Sequence, residues 1–129
     1  MTNILLVGFG GFIGAIARYK LGGLLLHLTA QERFPYSTFA VNVLGCMVVG
    51  VLAGLAEKHG YFSPSARLFL FTGLLGGFTT FSAFGLETLY LLRRGDPLIA
   101  AIYVMASVML GLAGVWLGIK SVNLLPAAG

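Results

Sequence analysis

Four stretches of this chain, at about 3–26, 36–56, 66–92 and 98–119, are each long and apolar enough to supply the ~20 residues a helix needs to cross ~30 Å of hydrocarbon. In a chain of 129 residues they leave almost nothing for a domain outside a bilayer. Inside hydrocarbon every peptide group must be satisfied from within the protein, and a single segment of this length does so as an α-helix. The expected fold is therefore all-α and integral to the membrane: one four-helix transmembrane domain over 1–129, with the lipid bilayer as its surroundings. Composition agrees, because 9% charged residues and 58% hydrophobic ones are far from the roughly 25% charge of a soluble domain.

Several other readings fall away on position. The net charge of +4 comes from basic residues placed singly or in pairs at the ends of the runs, as interfacial anchors are, so no nucleic-acid partner is expected. Cys46 stands alone in the second run, which rules out an intrachain disulfide and leaves a small apolar side chain. Ile4 to Gly14 followed by Ala15-Ile16-Ala17 imitates a secretory leader, but no Lys or Arg precedes it, and the segment is expected to be the first membrane helix. Gly8-Phe9-Gly10-Gly11-Phe12-Ile13-Gly14 has the look of a dinucleotide-binding turn. Three further membrane-length runs follow it, however, where that motif needs a βαβ frame. Helix packing explains these glycines better: Gly10/Gly14, Gly50/Gly54, Gly73/Gly77 and Gly114/Gly118 are four small-xxx-small pairs, so each helix expects a close neighbour.

The third run carries the unusual feature. Gly76-Gly77-Phe78-Thr79-Thr80-Phe81-Ser82-Ala83-Phe84 sets a glycine pair and two β-branched threonines where an uninterrupted helix would lie, and predicts a local loss of helix. Non-helical backbone at membrane depth is tolerated where it is buried in protein or lines a wet cavity, and such breaks are where ions and substrates sit. Phe81 and Phe84, three apart, share a face just beyond the break. A phenyl ring is electropositive at its edge, so two rings edge-on can touch an anion that has shed water.

Polar residues inside the other runs add to this. Asn42, between Val41 and Val43, supplies two N–H donors that either grip an anion or glue helices together. Thr38, one turn earlier, extends the same face. Glu87, six residues past Phe81, is a proton carrier, a gate near a pore mouth, or a side chain neutralised by a hydroxyl partner. Tyr103, Ser107 and Gly111 recur at intervals of four, one stripe on one helix face, whose hydroxyls either serve a passing anion or belong to packing and to the aromatic belt with Trp116. Arg18 lies deeper than Lys20 and either snorkels to the headgroups or holds an anion vestibule or helix end. The connections, Gln31 to Tyr36, Glu57 to Pro64 and Arg93-Arg94-Gly95-Asp96-Pro97, are short and polar, with His27 and His59 at their edges.

Basic residues are divided almost evenly between the two sides. Lys58, Arg67 and Lys120 fall on the side of the N-terminus, against Arg18, Lys20, Arg33, Arg93 and Arg94 on the other. With Arg18 inside the structure and the terminal amine counted, the two sides balance and the positive-inside rule selects neither orientation. A chain without a preferred orientation inserts both ways and is able to pair antiparallel with itself, and four short spans alone enclose little space.

Val41-Asn42-Val43-Leu44-Gly45, the run from Gly76 to Phe84 with Glu87 after it, and the Tyr103/Ser107 stripe resemble the small fluoride channels known as Fluc or CrcB proteins, over nearly the whole chain. That resemblance implies an antiparallel, dual-topology homodimer with two pores and a central sodium ion held by backbone carbonyls of the two broken helices. By position those carbonyls belong to Gly76 and Thr79, the aromatic box to Phe81 and Phe84, the pore amide to Asn42, and the start of a polar track to Tyr103 and Ser107. Two positions depart from the family pattern: Ala83 stands where Ser or Thr is common, and Gly111 stands where a hydroxyl can occur.

The function this implies is passive, fluoride-selective export across a microbial inner (plasma) membrane, with no enzyme activity, since neither a nucleotide site nor a catalytic nucleophile is present. The rival is a proton-coupled exporter of the small multidrug type using Glu87. Such exporters need an acidic residue in the first helix, and 3–26 contains none. A second rival, a membrane scaffold subunit, would leave Asn42 and the broken third helix idle.

Overall fold

The computed structural model describes residues 1–126 and, over them, is helical apart from its connections and one interruption. Helix α1 is Thr2–Leu28 and α2 is Tyr36–His59. The third span comprises α3 (Pro64–Arg67), a wide-turn π-helical segment (Leu68–Leu75), α4 (Gly76–Phe78) and α5 (Phe81–Arg93); α6 (Pro97–Leu124) closes the fold. Four helical spans, Thr2–Leu28, Tyr36–His59, Pro64–Arg93 and Pro97–Leu124, are long and apolar enough to cross a membrane. They outrun the apolar stretches because the polar residues at each end still complete helical turns.

Pairs of helices meet backbone to backbone. α1 lies against the π segment and α4, and α2 lies along α6. The glycine pairs are the reason. A Cβ on Gly10 would sit 2.6 Å from the Phe69 carbonyl oxygen, and one on Gly14 would run into the carbonyl oxygen of Leu74. In the other pair, a Cβ on Gly118 would come within 2.5 Å of the Met47 carbonyl oxygen, and one on Gly50 would collide with that of Val115. The pairs on α1 and the third span thus face one another, as do those on α2 and α6. This is the association mode expected where lipid is as apolar as leucine and close van der Waals approach must hold helices together.

Many large apolar side chains lie on the outside of the chain. Phe12, Leu24, Met105, Leu112 and Trp116 are all more than half exposed, as suits surfaces that face hydrocarbon or a second chain. A small side-chain core remains near one end, where Leu91, Ala100 and Tyr103 are buried beneath Phe34, Phe39, Phe84 and Ile99.

The connections set which ends lie together. Arg33 in the first connection donates to Asp96 in the α5–α6 turn at 3.0 Å, so those two loops share one side. On the other side Lys58 donates to the carbonyls of Val122 and Asn123, at 3.1 Å each, and to that of Leu125, closing the C-terminal end of α6 where its carbonyls lack helical donors. Gly60 ends α2 in the left-handed conformation at φ 64°, a backbone state glycine enters without a Cβ clash.

The interruption in the third span falls at the threonines rather than at the glycine pair. Gly76 and Gly77 stay helical, whereas Thr79 (φ −81°, ψ 158°) and Thr80 (φ −148°, ψ 108°) are extended. Thr79 turns its hydroxyl back on the Leu75 carbonyl at 3.0 Å, the same oxygen its own N–H uses. This is the local side-chain bonding by which threonine competes with helix. Upstream, Gly76 N–H reaches the Phe71 carbonyl as well as that of Gly73, the i→i−5 spacing of a π turn, and such turns concentrate at functional sites.

Candidate functional site at the helix break

At the break the backbone is held open from α2. Asn42 Nδ2 donates to the Thr80 carbonyl at 3.0 Å, and Thr80 N–H donates to Asn42 Oδ1 at 2.7 Å. The carboxamide therefore pairs with one extended residue as a neighbouring strand would, satisfying two peptide groups that would otherwise be expensive at membrane depth. The partners fix which way round the amide sits, since a backbone N–H needs an oxygen and a carbonyl needs a donor. Thr80 also caps the following helix: Ala83 N–H donates to Thr80 Oγ1 at 3.3 Å, the task of an N-cap threonine.

Two carbonyls are released as a result. In a continuous helix Gly76 would accept from Thr80 N–H and Thr79 from Ala83 N–H. Those hydrogens go instead to Asn42 Oδ1 and Thr80 Oγ1. The oxygens at Gly76 and Thr79, the two positions that the family resemblance marks, thereby lose their helical donors. Hard monovalent and divalent cations favour oxygen donors of this kind, and discontinuous membrane helices offer them. The donor set thus suits a sodium ion in kind. Among the described residues no group of three or more His, Cys, Asp and Glu side chains could hold a metal instead.

A cavity of about 410 Å³ opens beside the break, and Asn42, Thr79, Thr80, Phe81, Phe84 and Ser107 are among the residues that line it. Its walls are mostly apolar. Phe81 is 83% exposed in the protomer and meets Phe84 at 5.5 Å between ring centres, and Phe84 meets Tyr103 at 5.2 Å. The two phenylalanines therefore do share a face, with Phe84 seated on the core and Phe81 projecting from it. Ser107 Oγ is buried and has no hydrogen-bond partner in the protomer, which leaves an unengaged hydroxyl at the cavity wall.

Glu87 resolves differently from Ser107. Thr38 Oγ1 donates to its Oε1 at 2.6 Å and the Tyr103 hydroxyl to its Oε2 at 2.7 Å. Thr38 is 8% exposed and Tyr103 fully buried. Of the three roles open in the sequence, the pairing with hydroxyls is the one seen, and it spends the first hydroxyl of the α6 stripe on a carboxylate. Gly111 adds no hydroxyl further down; a Cβ there would stand 3.4 Å from Cys46 Sγ.

Arg18 sits half-buried in a recess of about 400 Å³ that Thr38, Val41, Thr80 and Ala83 also line. Thr80 borders both this recess and the 410 Å³ cavity, so the break separates two openings. The ion pair among the described residues is Arg33–Asp96, which leaves the Arg18 guanidinium without a carboxylate against it.

Two contributors escaped the sequence. Gly45, three residues after Asn42, is buried where a Cβ would press on the Thr79 methyl and the Phe78 ring, so it makes room for the break against α2. Its place on the Asn42 face and in the Val41–Gly45 motif marked the position without giving the contact. Thr80 acts through its hydroxyl and its peptide group together, and the adjacent threonines gave the location without the partners.

By class this is a small four-span membrane protein with an ion- or solute-sized site built at a broken helix. Residues 5–119 match the family described as CrcB-like protein, Camphor Resistance (CrcB). The chain is 55% identical, over 96% of its length and 97% of the relative's, to a protein of Methylobacillus flagellatus named fluoride-specific ion channel FluC. It is 43% identical to one of the same name from Flavobacterium psychrophilum, over 92% of this chain and 95% of that one. The corresponding protein of Rhizobium johnstonii is 47% identical over 92% and 94%. The chain belongs to the CrcB-like family.

Proposed function

We propose that this chain is a fluoride-selective channel of a microbial plasma membrane, spanning it several times and letting fluoride leave the cell passively. The observation that carries the reading is the cavity at the break, which Phe81, Phe84, Asn42 and Ser107 all line, the Ser107 hydroxyl without a partner. Such a wall replaces the water of a small hard anion with N–H, O–H and ring-edge contacts and offers no strong cationic trap. The names carried by the relatives from Methylobacillus, Flavobacterium and Rhizobium point the same way.

No energy source is required. HF crosses lipid as a neutral acid and ionises inside; a negative interior then drives the anion outward by about 2.3 kcal/mol per charge per 100 mV. The protein is accordingly a conduit and not an enzyme.

The working unit in this reading is an antiparallel, dual-topology homodimer. Balanced basic residues on the two faces support insertion both ways, and the exposed Phe81 supports a second chain against the break. Apposed breaks would contribute the Gly76 and Thr79 carbonyls of each chain to a central sodium ion, which would fix the two chains at their crossing. Arg18, in its recess bordered by Thr38 and Thr80, would raise the local anion concentration at one opening.

Proteoliposomes loaded with fluoride test this. Efflux triggered by valinomycin without a pH gradient supports the channel, proton-dependent drug uptake would support an exporter using Glu87, and no transport of either would leave a scaffold. Phe81→Ile and Phe84→Ile should each lower fluoride flux about tenfold, the worth of a lost ring contact, while leaving the dimer intact. Unchanged flux in both would refute the phenyl-edge role.

A further inference from the structure

We infer that Asn42 is the positioning residue of the cation site: its side chain keeps the carbonyls at the break available by holding the Thr80 peptide group away from the helix. The inference rests on the cation part of the function proposed above, and concerns what this chain's own residues do toward that ion.

One hydrogen decides which backbone state the break adopts. Thr80 N–H has two candidate acceptors, the Gly76 carbonyl four residues back and the Asn42 side chain. It goes to Asn42 Oδ1 at 2.7 Å, and the same amide secures the Thr80 carbonyl at 3.0 Å. Remove the carboxamide and Thr80 N–H becomes an orphan donor at membrane depth, with the Gly76 carbonyl as its nearest helical partner. Thr79 would then have to leave ψ 158° for the helical region, and Ala83 N–H would exchange the Thr80 hydroxyl for the Thr79 carbonyl. Both oxygens would be consumed by the restored helix. Gly76 itself does not resist this, since a Cβ there would find nothing closer than the Phe71 carbonyl at 3.8 Å. The opening is imposed from α2, with Gly45 providing the space.

The carboxamide has a second use. Oδ1 and one Nδ2 hydrogen are taken by Thr80, which leaves one N–H on a residue that also lines the 410 Å³ cavity. One side chain therefore frames the cation and has a donor to spare for the anion, and two substitutions pull those tasks apart. Asp at this position keeps an oxygen for Thr80 N–H, the hydrogen that decides the break, but gives up both the donor to the Thr80 carbonyl and the spare one for an anion, and carries like charge. Leu keeps the shape and provides neither.

The full chain in detergent is measured by the rise of its thermal midpoint as sodium replaces N-methyl-D-glucamine, and in proteoliposomes by fluoride efflux. Asn42→Asp should still bind sodium, because it keeps Thr80 N–H from the Gly76 carbonyl, while losing fluoride flux. Asn42→Leu should lose both, with sodium affinity falling roughly tenfold or more, as expected for withdrawing a buried hydrogen-bond partner. Sodium affinity unchanged in Asn42→Leu, or lost in Asn42→Asp, would overturn the inference while the channel reading stood. If the parent protein carries fluoride but shows no response to sodium, the cation site and this inference fail together and the channel survives. Should Asn42→Leu give no folded protein, Asn42→Asp decides alone: sodium retained supports the role and sodium lost ends it.

Discussion

The glycine seams and the helix break use the same residue to opposite ends. Along the seams glycine removes side chains so that two regular helices touch. Gly14 has the Leu74 carbonyl where its Cβ would be, and Gly50 has that of Val115. Among the described residues no backbone–backbone hydrogen bond crosses from one helix to its neighbour along these seams. At the break Gly76 is exposed and uncrowded, and the peptide groups around it are redistributed to side chains: Thr80 N–H to Asn42, Ala83 N–H to Thr80 Oγ1. Tight backbone contact on either side is what allows an irregular stretch to persist between, because the helices that flank it are fixed by packing and do not depend on its hydrogen bonds. Rigidity and chemistry are thereby assigned to different turns of the same span.

The strongest way to break that contrast is to put the same kind of side chain in both places. Gly14→Val should cost about 3 kcal/mol or more, because the atom it would meet is backbone and can move only with the helix. Gly76→Ala should leave protomer stability within about 0.5 kcal/mol, since 3.8 Å is ordinary van der Waals contact and alanine favours helix. Folded yield and thermal midpoint in detergent read both. Equal losses would mean that the break is as tightly packed as the seam, and the division of labour would fall.

That contrast also explains what could be read in the sequence. The spans, the break near Thr79-Thr80 and the small-xxx-small pairs were legible because each is a local departure from an apolar background. Which pair meets which was not, since Gly10, Gly50, Gly73 and Gly114 look alike until the chain is folded. The π segment Leu68–Leu75 was silent for a related reason: Leu-Phe-Leu-Phe-Thr-Gly-Leu-Leu is apolar almost throughout and carries no period to betray a wider turn. Asn42 was visible as an amide inside a span, but only the fold reveals that its partner is the peptide group of Thr80, 38 residues away. Glu87 was left with three roles because its partners, Thr38 and Tyr103, come from two other helices. Lys58, counted by sequence as a charge that orients the chain, turns out to close the end of α6.

Two hydroxyls of one α6 stripe sharpen the comparison further. Tyr103 and Ser107 lie one turn apart, yet Tyr103 donates to Glu87 at 2.7 Å whereas Ser107 Oγ has no partner. Tyr103→Phe should therefore destabilise the protomer by roughly 1–3 kcal/mol, the cost of leaving one carboxylate oxygen of a part-buried pair unsatisfied. Its cost to the thermal midpoint should vanish, or turn into a slight gain, when Glu87 is already replaced by Leu, since the hydroxyl then has no Glu87 acceptor to lose. An equal loss in both backgrounds would show that the Tyr103 hydroxyl matters through a partner other than Glu87.

Ser107→Ala is the smallest change and the most informative about the cavity. An unengaged buried hydroxyl contributes nothing to holding the protomer together and carries a desolvation cost, so its removal should leave the thermal midpoint unchanged or slightly raised, within about 0.5 kcal/mol. Fluoride efflux should nevertheless fall several-fold, by about the worth of one hydrogen bond that forms when the anion passes, roughly 1 kcal/mol. A side chain that stabilises nothing in the resting protein but is missed during transport is one whose partner is the transported ion. If stability drops with flux, the Ser107 hydroxyl has a structural role; if neither changes, fluoride crosses without touching this wall of the cavity.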